Sequence, residues 1–272
     1  MENKIREWLE KSGYPLELSA VEILNKYNYK SSPSSLYQDY ETNKIREIDI
    51  IAHKRIESKE IEVEFKFIIE CKKSNKPFIL LTSNSEVAPI SEIMFNVDVE
   101  HPTTHSVITA FKNLKFSDSI KKFSPAYAIG NKIIQGFVDS DEMVYSAVNS
   151  IAKSFKYFLE SEKNIYEMDI EANCYSLSIP VLLIDAPFYK IFFDDTNSLQ
   201  IQELEKAILK VKKSWEFETN SHYNVPIITF KNFNDFVLEV DNLMNSYLGH
   251  IKSMKKDYQI KNLYKDKINE NK

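Results

Sequence analysis

Two hydrophobic periods alternate along the chain. In "PLELSAVEILNKYN", Leu16, Ala20, Ile23, Leu24 and Tyr27 recur at helical intervals behind the breaker "SGYP". Pro15 suits a first helical turn, so the spacing predicts a helix over 15–28. The period then shortens to two. "SSLYQDYE" predicts a short strand, and "KIREIDIIAHK" sets Ile48, Ile50 and Ala52 against Glu47, Asp49 and Ile51. "KEIEVEFKFIIECKK" carries the strongest strand pattern of all. From 78 to 140 no clean period holds, and prolines and polar runs predict an insertion of short strands and helices. "DEMVYSAVNSIAKSFKYFLESE" returns to an amphipathic helix, with Val144, Ala147, Val148, Ile151, Phe155, Phe158 and Leu159 on one stripe and acids at its N-terminus. "YSLSIPVLLIDAPFYKIFF" predicts a buried strand with an edge-like extension. "SLQIQELEKAILKVKKSW" predicts a helix, "NVPIITF" a short strand, and "FNDFVLEVDNLMNSYLGHIKSMKKDY" a long closing helix.

Helix, three strands, helix, strand is an order that needs a sheet covered on both faces. The expected class is α/β, a mixed central sheet flanked by helices. One domain over 1–272 is expected, with a core of 13–82 and 141–195, an insertion at 83–140 and a helical C-terminal extension at 196–272. "IPVLLIDAP" and "VPIITF" are expected to join the core's sheet. Pairing the second and third strands places Ile48, Ile50 and Ala52 with Phe65, Phe67, Ile69 and Cys71 on one face. Asp49, Glu70 and Lys72 then share the other.

Composition narrows the setting. The 272 residues, 43% of them hydrophobic, suffice for a full core. Two cysteines, a charged N-terminus and no long apolar run point to a reducing cytoplasm and away from membranes. The formal net charge of −5 excludes a generally basic surface, although "KKSNK", "KAILKVKK" and the C-terminal run form local lysine patches. Taken singly, each patch reads as an ordinary solvated face.

Charge on an otherwise buried strand is the feature that carries chemistry. Two carboxylates on adjacent strands, Asp49 and Glu70, form an oxygen-rich site suited to Mg²⁺ or Mn²⁺. Lys72, two residues on and on the same face, can hydrogen-bond an attacking water or a phosphate oxygen. The set suits hydrolysis of a phosphodiester. The Glu-x-Lys triplet recurs at Glu2/Lys4, Glu57/Lys59, Glu64/Lys66 and Glu270/Lys272, so the triplet alone selects nothing. Only Glu70/Lys72 ends an apolar strand, follows a strand with one aspartate of matching parity, and comes after a helix with Glu17 near its start. Other candidates are weaker. His101 and His105 flank Pro102, which opposes a helix there. His53 shares the parity of Asp49 but lies where its strand is ending. The Cys71 thiol points to the core, and "YAIGNKIIQG" lacks the strand, loop and helix of a phosphate cradle.

Asp49 and "Glu70-Cys71-Lys72", preceded by a helix bearing Glu17, resemble the PD-(D/E)XK nuclease superfamily, the restriction-endonuclease-like fold. The motif covers 13–82, and the element order extends the resemblance to the strand ending at Asp185. It implies an αβββαβ core in which Asp49, Glu70 and the Cys71 carbonyl hold Mg²⁺ or Mn²⁺. Lys72 acts on the attacking water, and Glu17 is a supporting acid. It also implies a nuclease acting on nucleic acid, DNA favoured, in the setting of prokaryotic defence. The chain departs from the pattern at Asp49, which follows Ile48 where the motif has proline. A catalytically inactive nucleic-acid-binding or assembly module of the same fold is the alternative, and a regulatory protein docking a partner through its lysine-rich C-terminus is a third. A homodimer or a partner protein fits the first reading, since cutting both strands of a duplex needs two sites or two visits.

Overall fold

The computed structural model describes residues 1–57, 62–83, 87–89, 126–168, 174–212 and 222–245. Helix α1 (Glu2–Lys11), absent from the sequence-based expectation, precedes α2 (Tyr14–Lys26). Gly13 caps α2, Pro15 sits in its first turn, and Leu16, Ala20 and Leu24 form its buried stripe. Three antiparallel strands follow: β1 (Lys30–Gln38), β2 (Ile45–Glu57) and β3 (Glu62–Lys73). Beyond β4 (Phe78–Leu81), β5 (Val87–Pro89), β6 (Ala126–Gly130) and β7 (Lys132–Gln135), helix α3 (Glu142–Met168) leads into β8 (Cys174–Asp185). β8 runs parallel to β3 along its whole length, Glu70 opposite Leu182. This portion realises the expected order of helix, three strands, helix, strand.

The chain continues through β9 (Phe188–Phe193), β10 (Leu199–Glu203), β11 (Lys206–Lys212), β12 (His222–Thr229) and a helix, α4, over 233–245. Among the described residues the main sheet has eight strands, in the order β1-β2-β3-β8-β12-β11-β6-β5. A smaller sheet has the order β10-β9-β4-β7. Both are mixed. One core lies between the main sheet and α2 with α4, where Leu24, Phe67, Val181, Phe236 and Val240 meet. The other joins the opposite face to α3 and the small sheet through Ile68, Leu182, Ile151, Phe155, Phe78 and Phe188. The two sheets approach closely at Gly130, where a Cβ would stand 2.5 Å from Leu80 Cδ1. β8 supplies both cores, which is why "IPVLLI" is a continuous apolar run.

Three expectations are corrected. The segment 198–215 is not a helix: its described part forms β10 and β11, because Ala207, Ile208 and Leu209 are all buried in a strand covered on both faces. The extension beyond 196 is accordingly not only helical, since β11 and β12 sit inside the main sheet, with Ile227 opposite Leu182. Ile48 does not share a face with Ile50; it packs with Tyr37 and Ile68 in the α3-side core, whereas Ile50 and Ala52 lie in the other. The described parts of 83–140 form β5, β6, β7 and the loop that leads to α3, and β5 and β6 extend the main sheet. His101 and His105 lie outside the described residues, as does the closing segment after 245. Among the described residues no helix is long and apolar enough to cross a membrane.

Candidate active site

The slip of alternation that separates Ile48 from Ile50 occurs at Asp49. On the β1 side the pairs Pro33–Ile50 and Ser35–Ile48 form, but Ser34, with φ of 52°, and Asp49 drop out between them. On the β3 side the regular ladder stops at Ile50–Ile69. The Asp49 side chain then replaces the missing backbone acceptor: Asp49 Oδ2 accepts the N–H of Cys71 at 2.6 Å. A sequence break in the sheet therefore fixes the aspartate against the third strand.

β3 keeps its alternation. Ile69 and Cys71 enter the α2-side core, and Ile68 the α3-side core. Glu70 follows Ile68 on that face and is only 5% exposed. Lys72 Nζ donates to Glu70 Oε1 at 2.6 Å. The other oxygen, Glu70 Oε2, is buried without a hydrogen-bond partner. Ser150 of α3 stands beside this carboxylate and favours its ionised form. Ser150 was not singled out from the sequence, yet a hydroxyl three residues after Ala147, along the helix's apolar stripe, was the available sign.

The electrostatics couple these groups. Burial first, and then the Asp49 charge, push the Glu70 carboxyl up to about 7, against the pull of Lys72. Burial also raises Asp49, opposed by the Cys71 N–H and Lys72. Glu17, half-buried at the start of α2, is raised by burial and then by repulsion from Asp49 and the unpredicted Glu47. Burial would lower the Lys72 ammonium, but Glu70 and Asp49 reverse the sign and keep it charged. The structure thus brings Glu17, Asp49, Glu70 and Lys72 into one electrostatic neighbourhood. The Cys71 thiol is pushed well up, chiefly by burial, and is no nucleophile. His53 lies opposite Lys66, four residues along β2 from Asp49. Lys66 itself sits beside Glu64 and over the Phe158 ring.

Asp49 and Glu70, two carboxylates that repel one another beside a buried oxygen without a hydrogen-bond partner, are a donor set that fits a hard divalent cation. Among the described residues no three His, Cys, Asp or Glu side chains are gathered into a metal cage. Two carboxylates and a backbone carbonyl fall below that count and still suit Mg²⁺, which keeps several waters. Lys72 reaches a cleft of about 760 Å³ between the loop after β3 and the start of α3. No family model, curated protein or solved structure matches the chain.

Proposed function

We propose that the chain is a metal-dependent phosphodiesterase that cleaves nucleic acid, DNA favoured, with a core of the PD-(D/E)XK type. The observation that carries this reading is Glu70, whose one oxygen holds Lys72 while the other is buried, unpartnered and repelled by Asp49. The order α2-β1-β2-β3 and then, after β4 to β7, α3-β8, with β3 and β8 parallel, supports it.

In this reading Asp49, Glu70 and the Cys71 carbonyl hold Mg²⁺ or Mn²⁺. When bound, the ion supplies Lewis-acid stabilisation of the phosphate and lowers the pKa of water. The protein does the rest. Asp49 is fixed by the Cys71 N–H, so its carboxylate is held in place without reorganisation. Lys72 stays protonated and donates a hydrogen bond that orients the attacking water or meets the charge developing on phosphate. Glu17 adds negative charge at the edge of the site and supports the cation.

The test is cleavage of plasmid and single-stranded substrates with Mg²⁺, Mn²⁺ or EDTA. Lys72→Ala leaves both carboxylates, so metal binding should survive while the rate falls by ~10²–10³. Asp49→Ala should lose metal binding and turnover together. Full cleavage by Lys72→Ala would remove that lysine from the mechanism. A wild type inactive on every substrate with either ion would sink the nuclease reading and leave the non-catalytic module of this fold.

A further inference from the structure

The loop joining β7 to α3 holds Phe137 in a doubly unfavourable position. The residue is 86% exposed, and its backbone is left-handed, with φ of 58°. Glycine or asparagine would adopt that conformation more readily, and a bulky residue there is a backbone outlier. A single exposed ring is unremarkable in itself. This one lines the same cleft as Lys72, together with Lys76 and Met143.

The loop is pinned around the ring. Gly136 N–H donates to Pro77 O at 2.8 Å, and Gln135 N–H to Asp141 Oδ1 at 3.2 Å. The Phe137 carbonyl accepts from Lys76 Nζ at 2.8 Å. The β3 exit is tied to the same loop, since Ser74 Oγ accepts both the Lys76 N–H at 2.9 Å and Gln135 Nε2 at 2.7 Å. An aromatic face and two ammonium groups are therefore presented together on a fixed frame. Asp139 and Glu142 also line the cleft, which leaves Lys72 and Lys76 as its cations for a phosphate.

We infer that Phe137 is a stacking platform for an unpaired nucleobase of the strand to be cut, with Lys76 meeting a neighbouring phosphate. The inference rests on the nuclease reading and narrows its substrate. A base inside a duplex has both faces covered by its neighbours, so stacking on Phe137 requires a single-stranded, frayed or extruded nucleotide. Ring-on-base stacking accepts any base, which places the preference on strand state and not on sequence.

The test uses the full chain and a single-stranded oligonucleotide carrying 2-aminopurine, titrated in Ca²⁺ and in EDTA, with cleavage measured separately in Mg²⁺. Wild type should bind with a change in 2-aminopurine fluorescence. Phe137→Ala should bind roughly tenfold more weakly and lose that change. Phe137→Trp should keep both, and Phe137→Leu, apolar without an aromatic face, should behave as the alanine variant. The exposed ring makes unchanged melting temperatures the expected control. Undiminished binding and fluorescence change in Phe137→Ala, or full restoration by leucine, would overturn the stacking role. A wild type that cuts duplex but binds no single strand would overturn it and leave the nuclease standing. If wild type neither binds nor cuts, both readings fall together.

Discussion

At Glu70 the physical cost of a site and its use are the same quantity. Burial and Asp49 raise its carboxyl from 4.5 to about 7, so the folded state holds the proton more tightly than the unfolded chain does. The stabilising contribution is therefore complete below about 4.5 and is lost as pH rises through about 7. Glu70→Gln removes that loss: urea unfolding should find the variant more stable than wild type at pH 8, by at most about 3 kcal/mol, and little changed at pH 4. A divalent ion must displace the same proton, so Mn²⁺ should raise the melting temperature more at pH 8 than at pH 5. Equal shifts at both pH values would separate Glu70 from the cation. Asp49 joins Glu70 and Lys72 at the slip itself, by accepting the Cys71 N–H, whereas period-two parity was enough for Glu70 and Lys72, because β3 obeys it without interruption. It failed for Ile48, because the slip at Asp49 lies opposite Ser34, whose left-handed backbone no alternation of apolar residues announces.

Between elements, the hairpin that carries Asp49 is clasped to the helix that covers Glu70. Asp39, fully buried where β1 ends, accepts the N–H groups of Glu41 and Thr42, Arg46 Nε at 2.6 Å and Lys153 Nζ of α3 at 2.9 Å. Burial pushes its carboxyl upward, but these bonds together hold it far below the usual carboxylate range. Asp39→Ala should cost about 2–3 kcal/mol, since it leaves Lys153 with only the half-exposed Glu41 and frees two backbone donors. Denaturant unfolding measures it, and a loss below about 1 kcal/mol would reduce the clasp to a surface pair. The stabilisation is present above the unfolded carboxyl's pKa of 3.8 and lost as pH falls through the depressed folded value. Helices α2 and α3 are legible because each buries a single stripe. The 198–215 segment is not, because its Glu, Lys, Leu and Ala favour a helix by propensity while the neighbours β9 and β12 recruit it as strands. Pairing with those strands, and of β11 with the sequence-distant β6, settles the competition.

For the molecule as a whole, the main sheet makes the half that carries the candidate site depend on the half that does not. β8 is the hinge of this dependence, paired with β3 on one side and with β12 on the other. A chain ending at 195 keeps Glu17, Asp49, Glu70 and Lys72 but loses β11, β12 and α4. Its β8 edge would be bare, and Phe67 would lose Phe236, whose ring centroid stands 6.0 Å away. Phe233, Val237, Val240 and Leu243 would leave the same core, opening the face on which α2 packs. Bare edges and uncovered apolar faces of that kind produce compact, fluctuating or aggregating states. The expected outcome is that residues 1–195 bind a hydrophobic dye, show no cooperative thermal transition and bind no divalent ion, while the full chain melts in one transition. A fragment that melts cooperatively near the full-chain temperature would instead make 1–195 an independent folding unit, and the strands after β9 an accessory to it.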